Sequence, residues 1–194
     1  DVIQSVGTAG VDEIRTTLAT FSLDDSRYTE STRPIENLTL LSGATSGTGN
    51  AYDNVITAND DGNALFGLGG DDSLVGGFGS DTLDGGTGAD TLVGRGSGDV
   101  FIVDDTGDVV QNSGSGIDEV RSSLDTFDLN QGTLGSVAPN NGGVENLTLL
   151  TGGRSGSGNG LNNVMIGNER DNIFRGEGGS DRLEGRDAND TLLG

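Results

Sequence analysis

An apolar residue returns at every ninth position through two stretches of the chain. Set in nines, residues 49–102 read GNAYDNVIT, ANDDGNALF, GLGGDDSLV, GGFGSDTLD, GGTGADTLV and GRGSGDVFI. Their eighth places are Ile56, Leu65, Leu74, Leu83, Leu92 and Phe101. Residues 158–193 continue as GNGLNNVMI, GNERDNIFR, GEGGSDRLE and GRDANDTLL, with Met165, Phe174, Leu183 and Leu192 at the eighth. One inward position in nine cannot make the apolar stripe of a helix, which needs several per two turns. It suits a short strand whose side chains point out, in and out over places seven to nine. The six places before it form a tight turn. Two nonads then close one coil of 18 residues, with two thin parallel sheets back to back. Ile56, Leu74 and Leu92 stack in one sheet, and Leu65, Leu83 and Phe101 face them from the other. The predicted fold class is all-β: a parallel β-roll, or right-handed β-solenoid, with two roll blocks and intervening β segments.

A longer repeat encloses the nonads. DVIQSVGTAGVDEIRTTLATFSL at the start matches DVVQNSGSGIDEVRSSLDTFDL from Asp108, and PIENLTLLSG matches GVENLTLLTG. The chain therefore divides into a non-nonad β segment (1–48), a first roll block (49–111), a second β segment (112–157) and a second roll block (158–194). Leu38 and Leu40, like Leu147 and Leu149, alternate as one face of a strand. The stretches DDSRYTESTRP and NQGTLGSVAPNNGG differ most between copies and are expected as exposed loops. Asp1 matches Asp108, and Gly194 opens a further nonad, so both ends cut through a pattern. The expectation is a piece of a longer repetitive protein.

Composition alone points elsewhere. Few aromatics, abundant glycine (36 residues) and a formal net charge of −21 are the marks of a disordered chain. Ten nonads in one register override that reading. The charge counts against nucleic acid and against insertion into or binding to an anionic membrane, since both need basic patches. No apolar run is long enough to span a bilayer. With no His, Cys or Lys, zinc sites and His-dependent triads are excluded.

The sixth place carries the chemistry. It is Asn54, Asn63, Asp72, Asp81, Asp90 and Asp99 in the first block, and Asn163, Asn172, Asp181 and Asp190 in the second. Residues 103–111, VDDTGDVVQ, keep Asp108 and Val110 at places six and eight, so the coil runs on. One buried side chain per nine ordered residues is too thin a core to offset backbone entropy by itself. Stacking brings Asp72 beside Asp90 and Asp81 beside Asp99, where unpaired carboxylates would repel. A hard cation taking six to eight oxygens joins them. Backbone carbonyls of the glycine-rich turn complete the shell, from Gly67, Gly69, Gly76, Phe78, Gly85, Thr87, Gly94, Gly176, Gly178 and Gly185. Calcium suits this flexible oxygen cage better than magnesium, which demands a tighter octahedron. Pairs of Asn with Asp, such as Asn54/Asp72, Asn163/Asp181 and Asn172/Asp190, are weaker sites. The Asn turns are read as caps on the stack in preference to metal ligands.

The phrase GGxGxDxUx, with U a large apolar residue, resembles the calcium-binding nonapeptide repeat of the RTX (repeats-in-toxin) family, the hemolysin-type repeat. Residues 76–84 and 85–93 match it at every fixed place, and 67–75 lacks only the second glycine. The resemblance implies a β-roll that folds on calcium, and type I secretion from a Gram-negative bacterium. The expected function is a calcium-binding roll module of a large secreted protein with a structural or adhesive role, extracellular and sometimes held at the cell surface. Its partners are then calcium and further copies of the array or a cell surface. The alternative is an accessory roll on a secreted hydrolase or an alginate epimerase. In either case the segment itself is expected to be non-catalytic.

Other motifs carry less. The glycines repeat every nine residues without a following helix, which rejects a dinucleotide loop. Asn37-Leu38-Thr39 and Asn146-Leu147-Thr148 fit a glycosylation acceptor, but they read as strand. The fifth places form no regular array of Thr or Asn for a flat binding face.

Overall fold

The structure, a computed structural model, describes residues 2–4, 11–24, 35–130, 136–137 and 143–194. Most of the two stretches expected as loops, 25–34 and 131–142, lies outside the described residues. The strands begin with β1 (Val2–Gln4), β2 (Glu13–Thr16), β3 (Thr20–Ser22), β4 (Asn37–Leu40), β5 (Ser46–Thr48), β6 (Val55–Thr57) and β7 (Ala64–Gly69). They continue with β8 (Ser73–Val75), β9 (Thr82–Thr87), β10 (Thr91–Gly94), β11 (Val100–Val103), β12 (Val109–Asn112), β13 (Glu119–Ser122) and β14 (Thr126–Asp128). The last are β15 (Ser136–Val137), β16 (Asn146–Leu149), β17 (Ser155–Ser157), β18 (Val164–Ile166), β19 (Ile173–Arg175), β20 (Arg182–Glu184) and β21 (Thr191–Leu193). Among the described residues no helix is long and apolar enough to cross a membrane.

From β2 to β13 successive strands alternate between two sheets, as a two-nonad coil requires. One sheet runs β1-β2-β4-β6-β8-β10-β12-β15, and the facing sheet runs β20-β18-β16-β13-β11-β9-β7-β5-β3. A third sheet, β14-β17-β19-β21, partners the facing sheet in the second half. The fold is a parallel β-solenoid of about eight turns, ~18 residues per coil. The registers match the predicted stack: Ile56 pairs with Leu74 and Leu74 with Leu92, while Leu65 pairs with Leu83 and Leu83 with Phe101. These six side chains are 0% exposed and form two facing rows of the core.

The intervening segments are coils of the same solenoid. β4 pairs in parallel with β2 and β6, and β16 with β13 and β18, so the ENLTL strands continue the sheets without a break. Leu38 and Leu147 are fully buried at matching places. Across the core from each, a glycine leaves the room: a Cβ on Gly47 would meet Leu38 Cδ2 at 3.0 Å, and one on Gly156 would meet Leu147 Cδ2 at 2.7 Å. The pairing of β1 departs from the scheme. It lies antiparallel on β2, whereas its copy β12 lies parallel on β10.

Candidate metal centre

The sixth-place residue ends each turn, and its side chain folds back beneath that turn. An N–H of one sixth-place residue donates to the side chain of the next, one coil further on. In one row of turns Asn54 donates to Asp72 Oδ1 (2.7 Å), Asp72 to Asp90 Oδ1 (2.7 Å) and Asp90 to Asp108 Oδ1 (3.0 Å). In the opposite row Asn63 donates to Asp81 Oδ1 (2.8 Å), Asp81 to Asp99 Oδ1 (2.9 Å) and Asp99 to Asp118 Oδ1 (2.6 Å). Asp118 then donates to Glu145 Oε2 (2.9 Å). The second block repeats the relation from Asn163 to Asp181 (2.9 Å) and from Asn172 to Asp190 (2.8 Å).

This arrangement buries charge without neutralising it. Asp72, Asp81, Asp90, Asp99, Asp108 and Asp118 are each at most 2% exposed, and none forms an ion pair among the described residues. Asp181 and Asp190 are half-buried. The ladder occupies one oxygen of each carboxylate. The second oxygens of Asp72, Asp90 and Asp99 are buried and meet no hydrogen-bond partner. An unpartnered buried carboxylate oxygen is costly unless a cation or proton meets it. Asp81 Oδ2 accepts the Gly77 N–H (2.9 Å), and Asp108 Oδ2 accepts those of Asp104 and Asp105 (both 3.1 Å).

Electrostatics agree. Burial, the largest cause, lifts the carboxyls of Asp72 and Asp99 to about 6 and that of Asp90 to about 7. Neighbouring carboxylates raise all three further, Asp108 and Asp72 acting on Asp90. Asp81 and Asp108 are raised by burial as well, as is Glu145.

First-place glycines form the floor of each site. A Cβ on Gly76 or Gly94 would stand 2.5 Å from Oδ2 of Asp81 or Asp99, respectively. Gly67 faces Asp72 Oδ2 together with the Gly85 carbonyl oxygen, and Gly158 and Gly167 face the carbonyls of Gly176 and Gly185. The structure thus brings the first-place carbonyls of Gly67, Gly85, Gly176 and Gly185 beside sixth-place side chains. The third-place groups serve the backbone ladder. Phe78 O accepts the Ser97 N–H (3.2 Å) and Thr87 O that of Gly70 (3.1 Å), while Gly69 and Gly178 donate to Asn50 O and Asn159 O. A carbonyl so engaged keeps a second lone pair.

Among the described residues no three acidic side chains converge as a ready-made cage. The donor set is instead two carboxylates from adjacent coils supplemented by carbonyls, all of them oxygen. That set fits a hard, flexible ion such as calcium, and offers nothing to a metal that wants His or Cys. Asp72/Asp90, Asp90/Asp108, Asp81/Asp99 and Asp99/Asp118 would hold it, supplying charge where the lone oxygens lie.

Counting in nines missed four members of the ladder. Asp118 follows a ten-residue unit, and Glu145 opens an ENLTL strand. Their first-copy counterparts, Asp12 and Glu36, show the same bond, Asp12 N–H to Glu36 Oε2 at 2.8 Å. The signal was present: each stands two residues before a buried apolar residue, Val120, Leu147, Ile14 and Leu38, as the sixth place stands before the eighth. A second ladder also escaped notice. At the exposed fifth place, Asp53 accepts the Asp71 N–H, Asp71 that of Ala89, Asn162 that of Ser180 and Asp171 that of Asn189, at 2.8–2.9 Å.

The model of the RTX calcium-binding nonapeptide repeat matches the chain in four copies, at residues 42–74, 66–102, 75–110 and 157–192. No curated protein and no solved structure gives a match. The four matches cover more than half of the chain, and they fall on the coils whose sixth-place Asp and Asn side chains form the ladder. The chain belongs to the RTX calcium-binding nonapeptide repeat family.

Proposed function

We propose that this calcium-binding roll is a structural module of a large secreted bacterial protein, non-catalytic itself, that orders when it meets extracellular calcium. The carrying observation is the row of buried carboxylates with lone oxygens at Asp72, Asp90 and Asp99. Such a row opposes folding where calcium is scarce and favours it where calcium is plentiful, because binding free energy becomes folding free energy. Extracellular calcium modules bind at about 10⁻⁴–10⁻³ M, so the aspartate coils stay unfolded on the way through a type I exporter and order outside. The all-carboxylate interfaces 72/90, 90/108, 81/99 and 99/118 fill first, and the mixed Asn–Asp interfaces fill more weakly. An adhesive or spacer role follows from the long repeat, which builds length rather than a pocket. Absence of His, Cys and Lys supports the non-catalytic reading.

Calcium titration followed by circular dichroism tests this reading. A cooperative gain of β signal near millimolar calcium, reversed by chelation, is expected. A spectrum indifferent to calcium would sink it.

A further inference from the structure

Four turns share the form Asn at place two and Asn at place six: GNAYDN (49–54), ANDDGN (58–63), GNGLNN (158–163) and GNERDN (167–172). Each is the first nonad turn on its side of the roll after a coil that lacks the nonad. Their second-place asparagines make the same bonds. Nδ2 of Asn50, Asn59, Asn159 and Asn168 donates to the carbonyl fifteen residues earlier, that of Ile35 (2.9 Å), Ala44 (2.8 Å), Val144 (2.9 Å) and Gly153 (2.7 Å). Oδ1 of each accepts the N–H two residues on, from Tyr52, Asp61, Leu161 and Arg170. Asn59 and Asn168 reach a second carbonyl, Leu41 O (2.8 Å) and Leu150 O (2.7 Å).

The sixth-place asparagine reinforces the joint. Nδ2 of Asn63 donates to Ala44 O (2.9 Å), that of Asn163 to Glu145 O (2.9 Å), and those of Asn54 and Asn172 to Ile35 O and Gly153 O (3.4 Å each). In three of the four turns the Oδ1 of this residue accepts the N–H of the second-place asparagine. Carbonyls of the preceding coil that would face a cation are therefore occupied by neutral amide donors. An NH₂ group and a metal ion cannot share that position.

From this we infer that the second-place asparagines decide which inter-coil joints of the roll take calcium. Where Asn50, Asn59, Asn159 and Asn168 stand, the joint is closed by amides, excludes the ion and holds without it. Where aspartate stands at place six and no asparagine stands at place two, the joint stays open until calcium arrives. The roll then has two latched regions, β4–β7 and β16–β19, with a calcium-dependent stretch, β8–β12, between them and the aspartate turns of β20 and β21 following the second. The inference rests on the calcium reading of the aspartate turns and adds where that dependence stops.

Hydrogen exchange on the whole chain, in calcium and in chelator, provides the test. In chelator, amides of β8–β12 are expected to exchange about a thousandfold faster, and those of β4–β7 and β16–β19 to stay within about tenfold of their calcium values. N59A and N168A should abolish that residual protection, each in its own region, while equilibrium dialysis finds no fewer calcium ions bound. Collapse of protection in β4–β7 and β16–β19 together with β8–β12 in the unmodified chain overturns the inference. So does a loss of bound calcium in N59A or N168A. If exchange in the unmodified chain ignores calcium everywhere, the calcium reading fails instead. Local loss of protection in N168A would then still support the latch, and its persistence would refute it.

Discussion

The backbone N–H of Asp72 donates to Oδ1 of Asp90 at 2.7 Å, while the other oxygen of Asp90 lies buried without a partner. Asp90 thus joins two coils, and on the proposed calcium reading it would serve two cation sites, with Asp72 on one side and Asp108 on the other. Asp90→Asn keeps the volume and the ladder acceptor, and removes only the charge. The calcium midpoint by circular dichroism should rise by about tenfold, ~1.4 kcal/mol. An unchanged midpoint would place the ions elsewhere.

Acid should partly replace calcium. The folded pKa values of Asp72, Asp90 and Asp99, about 6 to 7, lie above the ordinary 3.8. The cation-free roll therefore binds protons that the unfolded chain has released. The stability that these three groups contribute is fully present below about pH 3.8 and is lost as pH rises through 6 to 7. In chelator, the β signal should be larger at pH 4 than at pH 7.5. Calcium binding near pH 6.5 should release protons, measurable in a weakly buffered titration.

Leu68 occupies the second place of its turn with φ +83°, where the repeat ordinarily has glycine, and the residue is 44% exposed. A left-handed conformation costs an L-residue about 1–2 kcal/mol. Leu68→Gly should stabilise the calcium-loaded chain by about 1 kcal/mol in denaturant titration, the rest being offset by lost apolar contact and by backbone entropy. The opposite change is Gly88→Ala. Gly88 has φ +133°, and a Cβ there would strike the Gly70 carbonyl, so this variant should lower stability by more than Leu68→Gly raises it.

Asp118 tests whether the ion row extends past the matched repeats. Asp118→Asn keeps the ladder acceptor for Asp99 N–H and discharges the Asp99/Asp118 joint, the one before Asp118 passes the ladder on to Glu145. Equilibrium dialysis should find one tightly bound calcium fewer, with the coils of Leu74 and Leu92 still folded. An unchanged count would end the ion row at Asp99.

Much of this was legible in the nonads, because Leu65, Leu83 and Phe101 hold one spacing and only a two-strand coil buries them all. The stacking of the acidic turns was legible for the same reason: Asp72, Asp81, Asp90 and Asp99 keep one place relative to those residues. Asp118 and Glu145 were hidden because insertions shift the count of nine while leaving the acid two residues before the core. The work of the asparagines was only half visible. Asn54 and Asn163 stand out against aspartate, but the pairing of Asn50 with Ile35 O depends on a coil that has no nonad to count. The fifth-place ladder from Asp53 to Asp71 is a backbone relation between turns, so residue type alone does not reveal it.

Leu38 and Leu147 hold matching places in the long repeat and yet lie in different sheets. Eleven alternations separate β2 from its copy β13, an odd number, so each unit hands the next its mirror assignment of front and back. Any mark carried on one side of the first unit therefore reappears on the reverse of the second. A tandem array built this way has a true translational period of two units, and a flat partner lying along it would meet equivalent surface only at every other one.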